Sequence, residues 1–225
     1  MFKKLLLTSA LLATFASAHA QSSQNFGVTG TVSPAPCNVT LTGGTVNLGT
    51  LSQATVKGYI VVSNTNNFYQ MSPVNATINI VCSAATKVQV SFIDNKSNKN
   101  LALDGIDIVR FGLTNSTAGT IAIGAYQINF TNTTIDGAIP TVYLSAPNGT
   151  SNWSTKTAGT AFTANLVAPG FANGFAKTAG AMVPDAITTL SGNLTFQAYL
   201  GKDYVDGATS ILTPAGSGTL TLTYL

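Results

Sequence analysis

Strict alternation of apolar and polar residues is the feature that most limits what this chain can fold into. Clear examples are residues 76–82, 87–92, 126–130 and 219–225. Successive side chains of a β-strand point to opposite faces, so a period of two predicts strands with one buried face. Helical periodicity is nearly missing. We therefore expect an all-β fold.

Turn signals separate the alternating runs. Asp-Gly or Asn-Gly pairs begin at Asp104, Asp136, Asn148, Asn173 and Asp206. Both dipeptides tolerate the positive φ of tight turns. Short strands with such turns at roughly ten-residue spacing predict an antiparallel β-sandwich. In the stretch 168–182, three glycines argue against a stable helix, and we expect a long loop there.

The first twenty residues have the organisation of a secretory signal. Lys3 and Lys4 precede an apolar run over residues 5–16, and residues 18–20 supply the small residues of a cleavage site. The run is too short to cross a hydrocarbon core of about 30 Å. We expect residues 1–20 to be removed, and the mature chain to fold outside the cytoplasm without stable membrane insertion.

Composition argues against most kinds of enzyme. His19, the only histidine, lies in the expected signal, and all seven acidic residues are aspartates. A chain without histidine has no Ser-His or Cys-His pair and no imidazole metal site. General acid–base chemistry would fall to aspartate alone. We expect no enzyme, no catalytic residue, no metal site and no cofactor.

Charged residues are scarce and scattered. Of ten lysines and arginines, Lys3 and Lys4 would leave with the signal, so eight positive charges face seven aspartates. A nucleic-acid partner needs clustered positive charge to neutralise phosphates. We expect no nucleic-acid partner.

Cys37 and Cys82 are the only cysteines. In an oxidising compartment, two cysteines in one exported chain are expected to pair. Closing this loop would contribute on the order of 4 kcal/mol in the chain-entropy model, less any strain. The alternative is a pair of free buried thiols.

Three segments, in order along the chain, resemble subunits of chaperone–usher pili of the type 1 and P pilus kind. The first runs from residue 30 through Cys37 and on to Val-Asn-Leu-Gly-Thr-Leu at 46–51, similar to the family's first strand and the strand after it. The second is 78–82, similar to the strand that brings the second half-cystine to the first. The third joins Leu-Thr-Phe-Gln-Ala-Tyr at 194–199 to a last strand with Tyr224 second from the end.

The resemblance implies an immunoglobulin-like (pilin) antiparallel β-sandwich that is incomplete and is completed by a donated strand. A hydrophobic groove would lie beside the C-terminal strand, filled first by a periplasmic chaperone and then by the N-terminal extension of the next subunit. Backbone hydrogen bonds and alternate side chains would supply the affinity. Leu220, Leu222 and Tyr224 would face this groove. The alternative is an ordinary strand of a complete sandwich.

The implied donor segment is residues 21–29, in which Phe26 and Val28 are the alternating apolar anchors. Residues 30–225 then form a single pilin-like domain with an enlarged middle region, 100–191. That region holds the lone Trp153. Trp153 is either an exposed platform that stacks on a sugar or, as we favour, a residue that covers one end of the sandwich.

We thus expect a structural subunit of a bacterial surface fimbria or pilus that supports adhesion or biofilm formation. Its expected partners are a periplasmic chaperone, an outer-membrane usher and neighbouring pilus subunits. The chain would pass through the periplasm to the cell surface. One alternative is a minor tip or adhesin subunit that binds a receptor, and another is a small outer-membrane β-barrel.

Overall fold

The computed structural model describes residues 36–43, 48, 51–62, 68–96, 109–116, 119, 121–156 and 165–225. All of them belong to one compact unit, Pro34–Leu225. The expected signal segment, the donor segment with Phe26 and Val28, and the turn predicted at Asp104 lie outside the described residues. No helix in the described ranges is long and apolar enough to cross a bilayer.

Twelve strands and two short helices make up the described part of the chain. The strands are β1 (Cys37–Thr42), β2 (Ile60–Val62), β3 (Phe68–Gln70), β4 (Val74–Asp94), β5 (Phe111–Thr114), β6 (Ala122–Ile135), β7 (Val142–Pro147), β8 (Ser154–Thr155), β9 (Leu166–Val167), β10 (Phe171–Ala176), β11 (Ala186–Gly201) and β12 (Gly218–Tyr224). The helices are α1 (Gln53–Lys57) and α2 (Lys202–Asp206). Every strand pairing is antiparallel. The prediction of an all-β antiparallel fold is confirmed.

The twelve strands are connected in one sheet, and the long strand β4 divides this sheet into two layers. Its first half pairs with β1 on one edge and β11 on the other, whereas its second half pairs with β12 and β10. The runs 76–82 and 87–92, expected as two strands, form one because the residues between them stay extended. The first layer continues from β11 to β6, with β5 and β9 beyond it, while β3 and β2 extend from the end of β11. The second continues from β10 to β7 and β8.

Aromatic contacts show how the core holds the layers together as a sandwich. Phe130 of β6 meets Phe92 of β4 edge-on, with ring centroids 6.0 Å apart. It meets Phe175 of β10 in the same way at 5.1 Å. Since Phe130 belongs to one layer and its two partners to the other, the main core lies between the layers.

The stretch predicted as a long loop contains a central strand instead. Strand β10 pairs with β7 over its whole length and with β4 on its other edge. Phe175 packs in the main core, while Ala172 and Ala176 pack on the opposite face. A Cβ added at Gly174 would meet Pro184 Cγ at 2.4 Å, so this second face must be small. The prediction was wrong because small residues at alternate positions hid the period of two.

Two of the predicted turns are confirmed and two are wrong. Asp136 and Asn148 each begin a turn, and the glycines that follow have φ values of 77° and 78°. Asn173 lies inside β10, where it is 2% exposed. Asp206 is the last residue of the short helix α2, so the Asp-Gly pair there follows a helix and does not join two strands.

Candidate functional site

Cys37 and Cys82 form a disulfide, as predicted. They are register partners in the pairing of β1 with β4. The bond therefore fastens a strand that has only one strand partner in the described part of the chain.

Strands β12 and β1 follow one another along β4. The last residue of β12, Tyr224, pairs with Val88, and the first residue of β1, Cys37, pairs with Cys82. The backbone N–H of Cys37 donates to the Tyr224 hydroxyl at 2.9 Å. The C-terminal end of β12 therefore lies beside the start of β1.

The other edge of β12 carries backbone groups that no described strand pairs with. The Leu225 N–H donates to the Lys87 carbonyl at 3.0 Å. Backbone groups alternate in direction along an antiparallel strand. The N–H and C=O groups of Leu220, Leu222 and Tyr224 therefore point away from β4, towards this edge.

The three residues predicted to face a groove differ in their surroundings. Leu220 and Leu222 are half-buried and pack against the main core. Tyr224 is 37% exposed and makes its contact with Cys37 through its hydroxyl. The structure thus places two of the three against the core.

A cavity of about 510 Å³ lies beside the first residues of β12, Gly218 and Leu220, and most of the side chains that line it are apolar. Its lining includes Leu41, Leu48, Phe92, Tyr126, Leu194 and Leu220. Tyr126 stacks on Phe111 at a centroid distance of 5.1 Å. Because buried side chains of both layers line it, the cavity is a gap in the core of the sandwich.

The segment that leads into β12 bounds this cavity at one end. Residues 214–218 belong to its lining. Ala215 exchanges two backbone hydrogen bonds of 2.9 Å with Thr114 of β5, and the Asn95 N–H donates to the Ser217 carbonyl at 3.0 Å. A Cβ added at Gly216 would meet Tyr126 Cε1 at 2.5 Å. Glycine at this position lets the segment lie directly on the ring.

The cavity is electrically neutral. Among the described residues, no charged side chain lines it. Burial, and then the nearby charge of Asp94, raise the pKa of the Tyr126 hydroxyl far above its usual value, so this phenol stays protonated. Such a lining favours apolar side chains over charged ones.

Trp153 contributes to packing. It is 8% exposed and lies in a small cluster with Leu144, Ala146, Ala172 and Ala176. The indole covers part of β7 and β10 and is not an exposed sugar platform. The Asn-Gly pair at Asn173 predicted only a turn, and no sequence pattern singled out Lys156, yet the two side chains meet inside the sandwich.

No group of three or more His, Cys, Asp or Glu side chains in the described ranges is arranged to hold a metal ion. A family model described as "Protein of unknown function (DUF1120)" matches residues 26–134. This match includes both cysteines and ends before β12 begins. No curated protein and no solved structure matches the chain.

Proposed function

We propose that this chain is a structural subunit of a bacterial surface pilus, assembled by chaperone–usher strand exchange. The observation that carries the proposal is the coincidence of two features along β12. Its backbone groups on one edge lack a described strand partner, and an apolar cavity opens beside the same strand. An added strand would use both features at once.

Strand addition combines two sources of affinity. The N–H and C=O groups of Leu220, Leu222 and Tyr224 would bond to the backbone of the incoming strand. Its alternate side chains would enter the cavity, where apolar burial contributes about 25 cal/mol per Å². The outward face of β12 carries Thr221 and Thr223, which are exposed.

The same edge explains why such a subunit would need a chaperone. An unpaired strand beside an open core is a template for pairing with any exposed strand, and so for aggregation. A periplasmic chaperone would cover the edge until an outer-membrane usher exchanges it for the next subunit. Residues 21–29, with Phe26 and Val28 as anchors, would be the donor strand, and the assembled subunits would lie on the cell surface in support of adhesion or biofilm formation.

Expression with and without the cognate chaperone tests this function. The exported chain should aggregate or be degraded alone and accumulate as a soluble complex when the chaperone is present. A soluble monomer that is fully stable without any partner would exclude the proposal.

Deletion of residues 21–28 tests whether this segment is the donor strand without altering the acceptor strand β12. The shortened chain should still bind the chaperone, because β12 is intact, but it should not extend a fibre. Polymerisation of the shortened chain would show that the donor segment has been assigned wrongly.

A further inference from the structure

Lys156 carries an amine into the interior of the sandwich. Its backbone N–H donates to the Tyr143 carbonyl at 2.8 Å, which continues the pairing of β8 with β7 by one residue. Its side chain therefore shares a face with Tyr143, whose ring meets the core residue Phe175 at 5.5 Å. The Nζ atom donates to the Leu166 carbonyl at 2.5 Å and to Oδ1 of Asn173.

This amine lacks the usual compensation for burial. None of the ion pairs among the described residues includes Lys156. Burial lowers the pKa of Lys156 to about 7. A substantial fraction is then the neutral amine at neutral pH, and the neutral form is the nucleophile.

The carboxamide of Asn173 is fixed beside that amine. Asn173 lies on the central strand β10 and is 2% exposed. Its Nδ2 donates to the Val90 carbonyl at 3.0 Å, while its Oδ1 accepts from Lys156. Both ends of the amide are held, so its carbonyl carbon stays next to Nζ.

A third side chain, that of Ser145, lies beside Asn173. It is the register partner of Asn173 on β7, so the two side chains are neighbours on one face, with Cβ atoms about 4.5–5.5 Å apart. Ser145 is 5% exposed, and its Oγ has no hydrogen-bond partner among the described residues. A buried hydroxyl without a partner is unfavourable, and Ser145 makes no bond that would have to break before its side chain turned towards Asn173.

We propose that Lys156 and Asn173 react with each other to form an intramolecular isopeptide bond. The neutral Nζ attacks Cγ of Asn173, the bond from Cγ to Nδ2 breaks, and a proton from Nζ passes to the departing nitrogen. The Ser145 hydroxyl on the same face would carry that proton only after a change of its χ1 rotamer, since it makes no hydrogen bond to either nitrogen. An amine and a primary amide thus give a secondary amide and ammonia, with no oxidant or cofactor. The fixed approach of the two groups supplies the proximity that such a reaction needs.

The bond would complement the disulfide. The disulfide fastens β1 to β4 in one layer. The isopeptide bond would join the end of β8 to β10 across β7 in the other layer.

Intact mass of the full chain, purified from the periplasm, reduced and denatured, tests the proposal. The mass should lie about 17 Da below that calculated for its own N-terminus, which is the ammonia lost when an amine displaces an amide nitrogen. Tandem mass spectrometry should find a branched peptide that contains both Lys156 and Asn173. An unaltered mass after one day at pH 8 would overturn the proposal.

Three variants separate this bond from other ammonia losses. Lys156→Arg keeps a hydrogen-bond donor but should restore the full mass, and Asn173→Ala should do the same. Lys177→Arg, a matched change at an exposed lysine, should leave the deficit in place. Cyclisation of the expected N-terminal residue Gln21 also releases ammonia, so any pyroglutamate is removed enzymatically before the masses are compared. A deficit that still persists in Lys156→Arg would assign the loss to another residue and overturn the proposal.

Discussion

The backbone N–H of Cys37 donates a 2.9 Å hydrogen bond to the hydroxyl of Tyr224, across 187 positions of sequence. This bond joins the start of β1 to the end of β12, so the two strands form one line along β4. Cys37, the residue of β1 that contacts the end of β12, is also one half of the disulfide. The last strand is therefore anchored at its C-terminal end, and the cavity lies beside its N-terminal end, at Gly218 and Leu220.

Tyr224→Phe should remove this anchor alone. A hydrogen bond of this kind contributes about 0.5–1.5 kcal/mol, and partial exposure of Tyr224 places the expected loss at the lower end. Chemical denaturation of the chaperone-free protein would measure it. Tyr59→Phe is the matched control, because its hydroxyl has no hydrogen bond in the described structure, and an equal loss there would contradict the role of Tyr224.

Loss of the disulfide should be far more costly. Cys37 and Cys82 are 45 positions apart, and cross-linking a loop of this size stabilises by about 4 kcal/mol in the chain-entropy model. The Cys37→Ser/Cys82→Ser double variant should therefore unfold at much lower urea concentration. Equal midpoints for the wild type with and without reductant would contradict this expectation.

Asp136 should make stability depend on pH in the acid range. Burial acts to raise its pKa, but bonds from the Thr188 hydroxyl, the Thr188 and Thr189 N–H groups and Lys177 outweigh burial and hold the pKa well below its usual range. A depressed carboxyl pKa stabilises the fold above the unfolded value of about 4, and this stability is lost as pH falls below it.

Asp136→Asn should cost about 1–2 kcal/mol at pH 7, because the bonds to a charged acceptor are weakened. The difference between variant and wild type should shrink as pH falls below 4. Urea titrations at pH 7 and pH 3 would measure both values. A difference that stays constant over this range would show that the charge of Asp136 is irrelevant.

Gly174→Ala should disturb the cover over β10. The new Cβ would meet Pro184 Cγ at 2.4 Å and the Trp153 ring at 3.1 Å. We expect a loss of about 1–3 kcal/mol from overpacking and a red shift of the emission of Trp153. Gly137→Ala also strains the backbone, where φ is 77°, but it should leave the emission unchanged. Unshifted emission in Gly174→Ala would contradict the packing described for Trp153.

Local alternation predicted most of the strands, because period two is visible wherever large apolar residues mark one face. The alternation did not predict β10. The residues on one face of that strand, Ala172, Gly174 and Ala176, pack beneath Trp153, and they are too small to mark this face as apolar in the sequence. The cysteine pair followed from composition and compartment alone. The cavity beside β12 and the meeting of Lys156 with Asn173 depend on which strands become neighbours, and a sequence pattern does not contain that information.

Strand acceptance at β12 is tested most directly by residue-resolved amide hydrogen exchange. In freshly refolded, dilute subunit, the amides of Leu220, Leu222 and Tyr224 should exchange quickly, because they point away from β4. Those of Thr221, Thr223 and Leu225 point towards β4 and should be protected. In the assembled fibre the first set should slow by about 100-fold or more, while the second changes little. Equal protection of both sets before assembly, or no slowing of the first set in the fibre, would contradict strand acceptance at this edge.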